Sequence, residues 1–487
     1  MRSRTVFQFV ILTAFAGVKL FADGPATKPV ASLPPIHVSE NGRFLTTVDA
    51  TTHEAKPFFY LGDTAWCIFN HASSDDVDEY LDDRAAKGFT VIQGCVAVWD
   101  FRTRRNPDGE TPFTGNDPTA INEAYFKNVD DVVDKCTRRG LHVAMLPFWT
   151  KNTRSGPFSE PAGMRTYCQY LGKRYAAKNV IFVLGGDTSG TEIQPVVDAE
   201  AEGLQQGAKE AGIEKITITY HPTGRESSSF WFHERPWLVF NSIQSGHFIN
   251  TTNFQIVSRD FLKRPVKPTL DMEPGYENIT NNLVRGPAAA TAQRIQAVDV
   301  RRSAYLAVFS GAAGHTYGNG EVYEFYHPAN NAAAPGRASW HANMDWKEAL
   351  KLPASGQVQF VRWLLESRPY FSRIPDQSLI AGANSDRAIN RIVATRAEDG
   401  SYAMLYLPAG QKNVAVNTGK LSGDTLNFWW YDPRTGAATQ LDTVAKNDSR
   451  TLTTPSAEPL PEGTDDWVLV IDDAAKKFPP PGSRALK

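Results

Sequence analysis

Two carboxylates stand where a pair could cleave an acetal. Asp187 closes the run Val180-Ile-Phe-Val-Leu-Gly-Gly-Asp187, and Glu273 lies in Pro268-Thr-Leu-Asp-Met-Glu273-Pro-Gly-Tyr-Glu277. The apolar residues 180–184 read as a strand buried on both faces, and the two glycines then remove side-chain bulk just before the acid. A buried parallel strand that delivers an acid to its own C-terminal end is how α/β barrels build active sites. If both segments are strand ends of one barrel, the carboxylates face each other across a pocket. That pairing points to glycoside hydrolysis, with Asp187 as acid/base and Glu273 as nucleophile.

Each assignment has a plainer alternative. Asp187 could cap a helix, since Thr188, Ser189 and Gly190 follow it. An unpaired carboxylate on so apolar a strand would instead have a raised pKa, which suits a proton donor. Glu273 is exposed by Pro274-Gly275, which end its strand, but it could pair with Arg285 or His315. Asp271 points the same way one layer deeper, and Glu277 lies in the loop beyond. Asp63, Trp66, Gln93, Trp99, Trp149, His221, Gln244, His247, Glu277, His315 and Tyr317 all fall near strand ends and are the candidate substrate contacts. Taken singly, each could be an interior polar group or a core filler. Trp66, Trp99 and Trp149 could serve as platforms for the C–H faces of sugars. The ten histidines include no His-x-His or His-Glu-x-x-His pair, and no Gly-x-Ser-x-Gly elbow, P-loop or dinucleotide fingerprint occurs. No metal and no cofactor are expected.

The elements that must position these residues alternate. Strands are predicted over 58–66, 89–97, 141–149, 180–187, 216–222, 237–244, 268–273 and 311–318. Helices are predicted over 74–87 with Ser74 as N-cap, 121–139, a stripe from Met164 to Tyr175, 195–211, 252–263, 289–309 and 356–367. This is the order of a (β/α)8 TIM barrel, with Asp187 on the fourth strand and Glu273 on the seventh. His37 to Pro57 read as a short strand pair closing the barrel's bottom. From about Pro375 the pattern becomes pure strand, as in 402–407, 414–416, 426–431 and 466–471. With the turn Asp432-Pro-Arg-Thr-Gly436, it reads as a small antiparallel β-sandwich. The sandwich is expected to brace the barrel, the other role being glycan binding through Trp429 or Trp430. The predicted division is 1–22 signal peptide, 23–35 linker, 36–374 catalytic barrel, 375–475 sandwich and 476–487 disordered tail.

At 487 residues, two domains are expected. A formal net charge of −2 gives no electrostatic case for binding nucleic acid or an anionic membrane. Arg2 and Arg4, the apolar stretch from Val6 to Val18, and Ala22 form a secretory signal. Secretion or periplasmic export is therefore expected, with no membrane attachment after cleavage. Cys136 and Cys168 sit on apolar helix faces as buried thiols, whereas Cys67 and Cys95 lie near strand tops and could bridge. The oligomeric state is open.

The runs Phe59-Tyr-Leu-Gly-Asp-Thr-Ala-Trp66, Gly185-Gly-Asp187, Leu270-Asp-Met-Glu-Pro-Gly-Tyr-Glu277 and Gly314-His-Thr-Tyr-Gly318 resemble the apiosidase-like catalytic domain of glycoside hydrolase family 140. Arg368-Pro-Tyr-Phe371, Ile374-Pro-Asp-Gln377 and Trp430-Tyr-Asp-Pro-Arg-Thr-Gly436 resemble the same family's C-terminal domain, which carries a collagen-binding label. The resemblance implies a barrel enzyme that releases apiose-linked units from rhamnogalacturonan II, a plant pectic polysaccharide. It also implies an Asp on strand four and a Glu on strand seven as the catalytic pair, matching Asp187 and Glu273. Strand four carries Gly-Asp here in place of the Asn-Glu of related barrel glycosidases. The alternatives are a glycosidase for another furanoside or pyranoside, such as an arabinofuranosidase, and a non-catalytic carbohydrate-binding protein.

Overall fold

The computed structural model describes residues 32–152, 156–329, 342–455 and 464–483. The expected signal peptide and most of the linker lie outside these residues. Eight parallel strands form the barrel: β1 Tyr60–Thr64, β2 Val91–Ala97, β3 His142–Phe148, β4 Ile181–Thr188, β5 Thr217–Pro222, β6 Asn241–Gln244, β7 Thr269–Asp271 and β8 Gly314–Tyr317. Ladder pairing runs from β1 through β5, and from β6 through β8 back to β1. The seam between β5 and β6 lacks a ladder. It is held by the Val239 amide, which donates to the Ile218 carbonyl at 2.9 Å, and by Thr219 Oγ1, which donates to the Phe240 carbonyl at 2.8 Å. The short strand Glu226–Ser227 pairs antiparallel with β6, making nine strands in a nearly closed sheet.

The helices follow their apolar stripes. In α2, Glu123–Arg138, the buried residues include Tyr125, Phe126, Val129, Val132, Val133 and Cys136, a 3.6-residue period turned to the sheet. The helix α1, Ser74–Ala86, is capped one residue earlier than expected. Ser73 accepts from the Asp76 amide in a reciprocal capping box, so Ser74 is the first helical residue. The helix expected over 289–309 begins only at Ala297 and ends at Phe309 (α3). Residues ahead of it pair instead with the loop after β7: the Ile295 amide donates to Ile279, and the Asn278 amide to the Ile295 carbonyl. Strand β6 also starts later than expected, at Asn241. No helix among the described residues is long and apolar enough to cross a membrane. All four cysteines are buried and free, so Cys67 and Cys95 are not bridged.

At the bottom, His37–Val38, Leu45–Val48 and Ala55–Pro57 form three strands where two were expected. The C-terminal part is antiparallel throughout. Its six-stranded sheet includes Tyr402–Leu407, Thr425–Tyr431 and Trp467–Asp473, and faces a two-stranded sheet of Asn413–Asn417 and Ser449–Thr453. Alternation along the strands buries both faces of the larger sheet. Leu405, Phe428, Trp430 and Leu469 meet Val414, Val416 and Leu452 of the smaller sheet, while Tyr406, Tyr431, Val468 and Val470 join the barrel's core. Trp430 is therefore interior, and Trp429 packs on the barrel side, so neither stands out as a glycan platform. Residues 477–483, expected to be disordered, are docked. The Gly482 amide donates to Ser367 Oγ at 3.0 Å, and the Arg368 guanidinium lies over Phe478.

Candidate active site

The catalytic end is shaped by an irregularity in β4. Gly185, Gly186 and Asp187 adopt φ of +88°, +110° and +54°, and the β4–β5 register breaks between Gly185 and Thr188. A Cβ on Gly185 would lie 2.6 Å from the His221 carbonyl oxygen. Only glycine fits there, and Asp is among the few residues that tolerate the left-handed region next to it. The bulge turns Asp187 into the top of the barrel, where its side chain is 23% exposed. Asp187 caps no helix, since the next one starts at Gln194 with Ile193 in the cap position. Nor is it the unpaired acid expected. Lys151 Nζ donates to Oδ2 at 2.8 Å, and Gln244 Nε2 donates to Oδ1 at 2.8 Å.

Glu273 lies two residues past β7 and is buried. Its partners are neither Arg285 nor His315. His221 Nε2, from β5, is 2.9 Å from Oε2, and His247 Nε2, beyond β6, is 3.2 Å from Oε1. The Tyr276 amide donates to His247 Nδ1 at 3.4 Å, which leaves the proton of neutral His247 on Nε2, facing Glu273. Burial alone would raise the Glu273 pKa, but contact with the two imidazoles holds it well below the carboxylate range. Burial lowers the His221 pKa and the Glu273 carboxylate more than restores it, so His221 is raised above its ordinary value. One donor atom each from Asp187, His221 and Glu273 lie within 4.8 Å of one another. This cluster has the donor types to hold a metal ion. Its carboxylates already have partners, Lys151 on Asp187 and His221 and His247 on Glu273.

Aromatic rings line the same end. Trp149 meets Trp66 edge-on at 5.2 Å and Trp99 at 5.5 Å, and Trp66 meets the His221 ring at 5.3 Å. Trp66 Nε1 donates to the Tyr276 hydroxyl at 3.1 Å, and the Tyr276 ring is 4.5 Å from that of His247. Trp99 is only partly buried, so it retains a face for a ligand, whereas Trp66 and Trp149 are nearly covered.

Other expected contacts sit too deep. Asp63 is fully buried, bound to Arg84 and to the Tyr80 hydroxyl at 2.7 Å. Gln93 is equally buried; its Nε2 donates to the Met272 carbonyl at 3.0 Å and its Oε1 accepts from Tyr60. Glu277 accepts from the Tyr317 hydroxyl at 2.7 Å and the Ala354 amide at 3.0 Å, which uses both carboxylate oxygens and the tyrosine. His315 has no access to solvent, and burial lowers its pKa to about 3. Asp271 binds Ser245 and Asn253, and burial raises its pKa to about 6. These residues shape the site from beneath and cannot touch a ligand without rearrangement. His221 and Gln244 do reach the centre, as partners of the two carboxylates. Lys151 and Tyr276 were not foreseen as site residues; the sequence marks them only as neighbours of Trp149 and Glu273.

A cavity of about 470 Å³ lined by Ile36, Val180, Thr217 and Trp237 lies at the opposite, N-terminal end of the strands, away from both carboxylates.

Residues 39–372 match the family model described as "Apiosidase-like, catalytic domain", and residues 374–472 match the one described as "Putative collagen-binding domain of a collagenase". Among solved structures, one titled glycoside hydrolase is 29% identical over 91% of this chain and 97% of its own, with a TM-score of 0.79. A glycoside hydrolase family 5 protein from Bacteroides vulgatus ATCC 8482 is 29% identical over 93% of this chain and 96% of its own, with a TM-score of 0.80. No curated protein matches the chain by sequence.

Proposed function

The chain belongs to the family of apiosidase-like catalytic domains, and from that membership we propose a retaining glycoside hydrolase of family 140 that acts on apiosyl linkages of rhamnogalacturonan II. Glycosidase activity itself agrees with the solved structures it resembles. The observation that carries the retaining mechanism is the close approach of the carboxylates, one oxygen of Asp187 lying within 4.8 Å of one oxygen of Glu273. Retaining enzymes hold the pair about 5–5.5 Å apart, and inverting ones about 6.5–9.5 Å, to admit a water.

In this reading, the Glu273 carboxylate attacks the anomeric carbon while Asp187 passes a proton to the departing glycosidic oxygen. The C–O bond to the aglycone breaks and a glycosyl ester of Glu273 forms. Water then attacks the same carbon, gives its proton to Asp187 and releases Glu273. Contact with His221 and His247 keeps Glu273 ionised for the first step and steadies the carboxylate that returns in the second. Trp99 supplies an apolar face for a sugar ring. The basic start and apolar stretch from Val6 to Val18 support secretion, which suits a polymeric plant substrate.

Incubation of the purified protein with rhamnogalacturonan II oligosaccharides should release apiose or an apiose-terminated fragment. Release of arabinose from arabinofuranosides alone would move the substrate to another furanoside. Release of no sugar from either, with intact binding, would leave a carbohydrate-binding protein.

A further inference from the structure

The two oxygens of Asp187 are taken by partners of different character. Oδ1 accepts from Gln244 Nε2 and Oδ2 from Lys151 Nζ, each at 2.8 Å. An acid/base carboxyl must carry a proton in one half of the reaction and accept one in the other. An ammonium group has only donors, so a proton on Oδ2 ends the ion pair and leaves Lys151 Nζ the weaker acceptor of a neutral carboxyl. For Asp187 to hand that proton to a leaving group, the partner on the transferring oxygen has to make room.

Gln244 is the fixed one. It lies on β6, is 5% exposed, and its backbone carbonyl is held by the Arg225 amide at 2.6 Å. A proton on Oδ1 would be trapped beneath this amide and could not reach a leaving group. Lys151 is the movable one. It sits on the single 3-10 turn Thr150–Asn152 after β3, its side chain is 52% exposed, and Asp187 is its one ionic partner among the described residues. Ion pairs this exposed contribute little to stability, so exchanging the partner is cheap.

We propose that Lys151 is a positioning residue on the leaving-group side: it covers Oδ2 of Asp187 and is exchanged by a bound glycoside onto oxygen atoms of the aglycone. Oδ2 is then the oxygen that transfers the proton. It takes a proton from solvent as the ion pair opens, passes it to the glycosidic oxygen as the C–O bond breaks, and regains one from the water that cleaves the ester. The favoured aglycone is one with oxygen acceptors within reach of an ammonium group, a sugar in preference to an aryl group. The inference rests on the glycosidase reading.

Two measurements test it. A water-soluble carbodiimide should condense Lys151 Nζ with the Asp187 carboxyl, with loss of water. Peptide mass spectrometry should find the linked peptide in the wild type and not in Lys151→Met. Second, the ratio of kcat/KM for an apioside with a sugar aglycone to that for 4-nitrophenyl apioside should fall at least tenfold in Lys151→Met and largely recover in Lys151→Arg. Absence of the cross-link, or an unchanged ratio in Lys151→Met, overturns the inference while wild-type turnover upholds the glycosidase reading. Wild-type turnover of neither glycoside overturns that reading and this inference with it.

Discussion

Nε2 of His221 lies 2.9 Å from Oε2 of Glu273, with both side chains buried. The two ionisations support each other, and the sign of each shift sets a pH window. Glu273 is held below its ordinary value of 4.5, so its contribution is present above that pH and lost on acidification toward its folded value. His221 is raised above 6.5, so its contribution is full below 6.5 and lost as pH rises through its folded value. Glu273→Gln should therefore cost most between about pH 4.5 and 6.5, on the order of 3 kcal/mol for breaking a buried pair. The cost should shrink in alkali, where His221 sheds its proton. Thermal unfolding of wild type and variant at pH 5.5 and pH 9 checks this. In the same variant kcat/KM should fall by about 10⁴-fold or more; substantial residual turnover would remove Glu273 as nucleophile.

Glu200 lies buried on the helix Gln194–Glu210 beside Cys168 and Tyr220, with no ionic partner among the described residues. Burial raises its pKa from 4.5 to about 8. The folded protein therefore takes up a proton that the unfolded chain has lost, and stability declines as pH rises from 4.5 to about 8. Glu200→Gln should relieve a penalty on the order of a few kcal/mol at pH 8 and almost none at pH 4.5. A Tm gain that is equal at both values would refute the buried-acid account.

The bulge that aims Asp187 depends on a glycine with no substitute. Gly185→Ala would place a Cβ 2.6 Å from the His221 carbonyl and from the Tyr220 ring, at a φ of +88° that alanine resists. The carbonyl that must move belongs to the partner of Glu273, so both carboxylates are disturbed together. We expect kcat/KM to fall by about 10²-fold or more, in line with a misplacement of about 1 Å at a catalytic group. Gly140→Ala, at a similar φ of +75° but with open space around the added methyl, controls for backbone strain and should cost stability and not activity.

The barrel and the strand ends that carry Asp187 and Glu273 were legible because their signals are local. An apolar run ending in Gly-Gly-Asp, and Glu273 ahead of Pro274-Gly275, announce strand ends without knowledge of any neighbour. Depth was not legible. Asp63 and Gln93 stand at strand ends like His221, yet a shift of a residue or two along a tilted strand decides whether a side chain enters the pocket or the core. Lys151 was invisible for the opposite reason, since its role comes from crossing to a carboxylate 36 positions away. The choice between Ser73 and Ser74 as cap turned on which could reach Asp76, and the late start of α3 on backbone pairing with the loop after β7. The second is a tertiary fact, whereas the capping box of Ser73 with Asp76 is local.

Tyr305 of α3 stacks on Tyr406 of the sandwich, with centroids 4.8 Å apart and planes 1° from parallel. Beside them Arg301 and Asp466 form a buried two-point pair, and Arg368 holds Asp472 in the same way at 2.8 Å. The sandwich is thus built into the barrel. Asp466→Ala should destabilise the whole protein by about 3–5 kcal/mol, the cost of stranding a buried guanidinium. Truncation after residue 373 should yield aggregated protein, because the face of α3 that meets the sandwich would be bared. A soluble, active barrel lacking the sandwich would reveal an independent module.

The separation of Asp187 and Glu273 makes a stereochemical prediction. Proton NMR of the first-formed product should show the anomeric configuration of the substrate, before mutarotation scrambles it. Asp187→Ala should cut kcat/KM for a sugar aglycone by about 10²–10⁴-fold. It should affect 4-nitrophenyl glycoside less in the first step, since that leaving group needs little protonation. Water attack in the second step still requires a base, so the glycosyl ester on Glu273 should accumulate. Azide, a nucleophile that needs no base, should restore turnover and give a glycosyl azide of retained configuration. An azide of inverted configuration would mean direct displacement, with Asp187 as nucleophile or Glu273 as the base of an inverting pair, and would overturn the assignment.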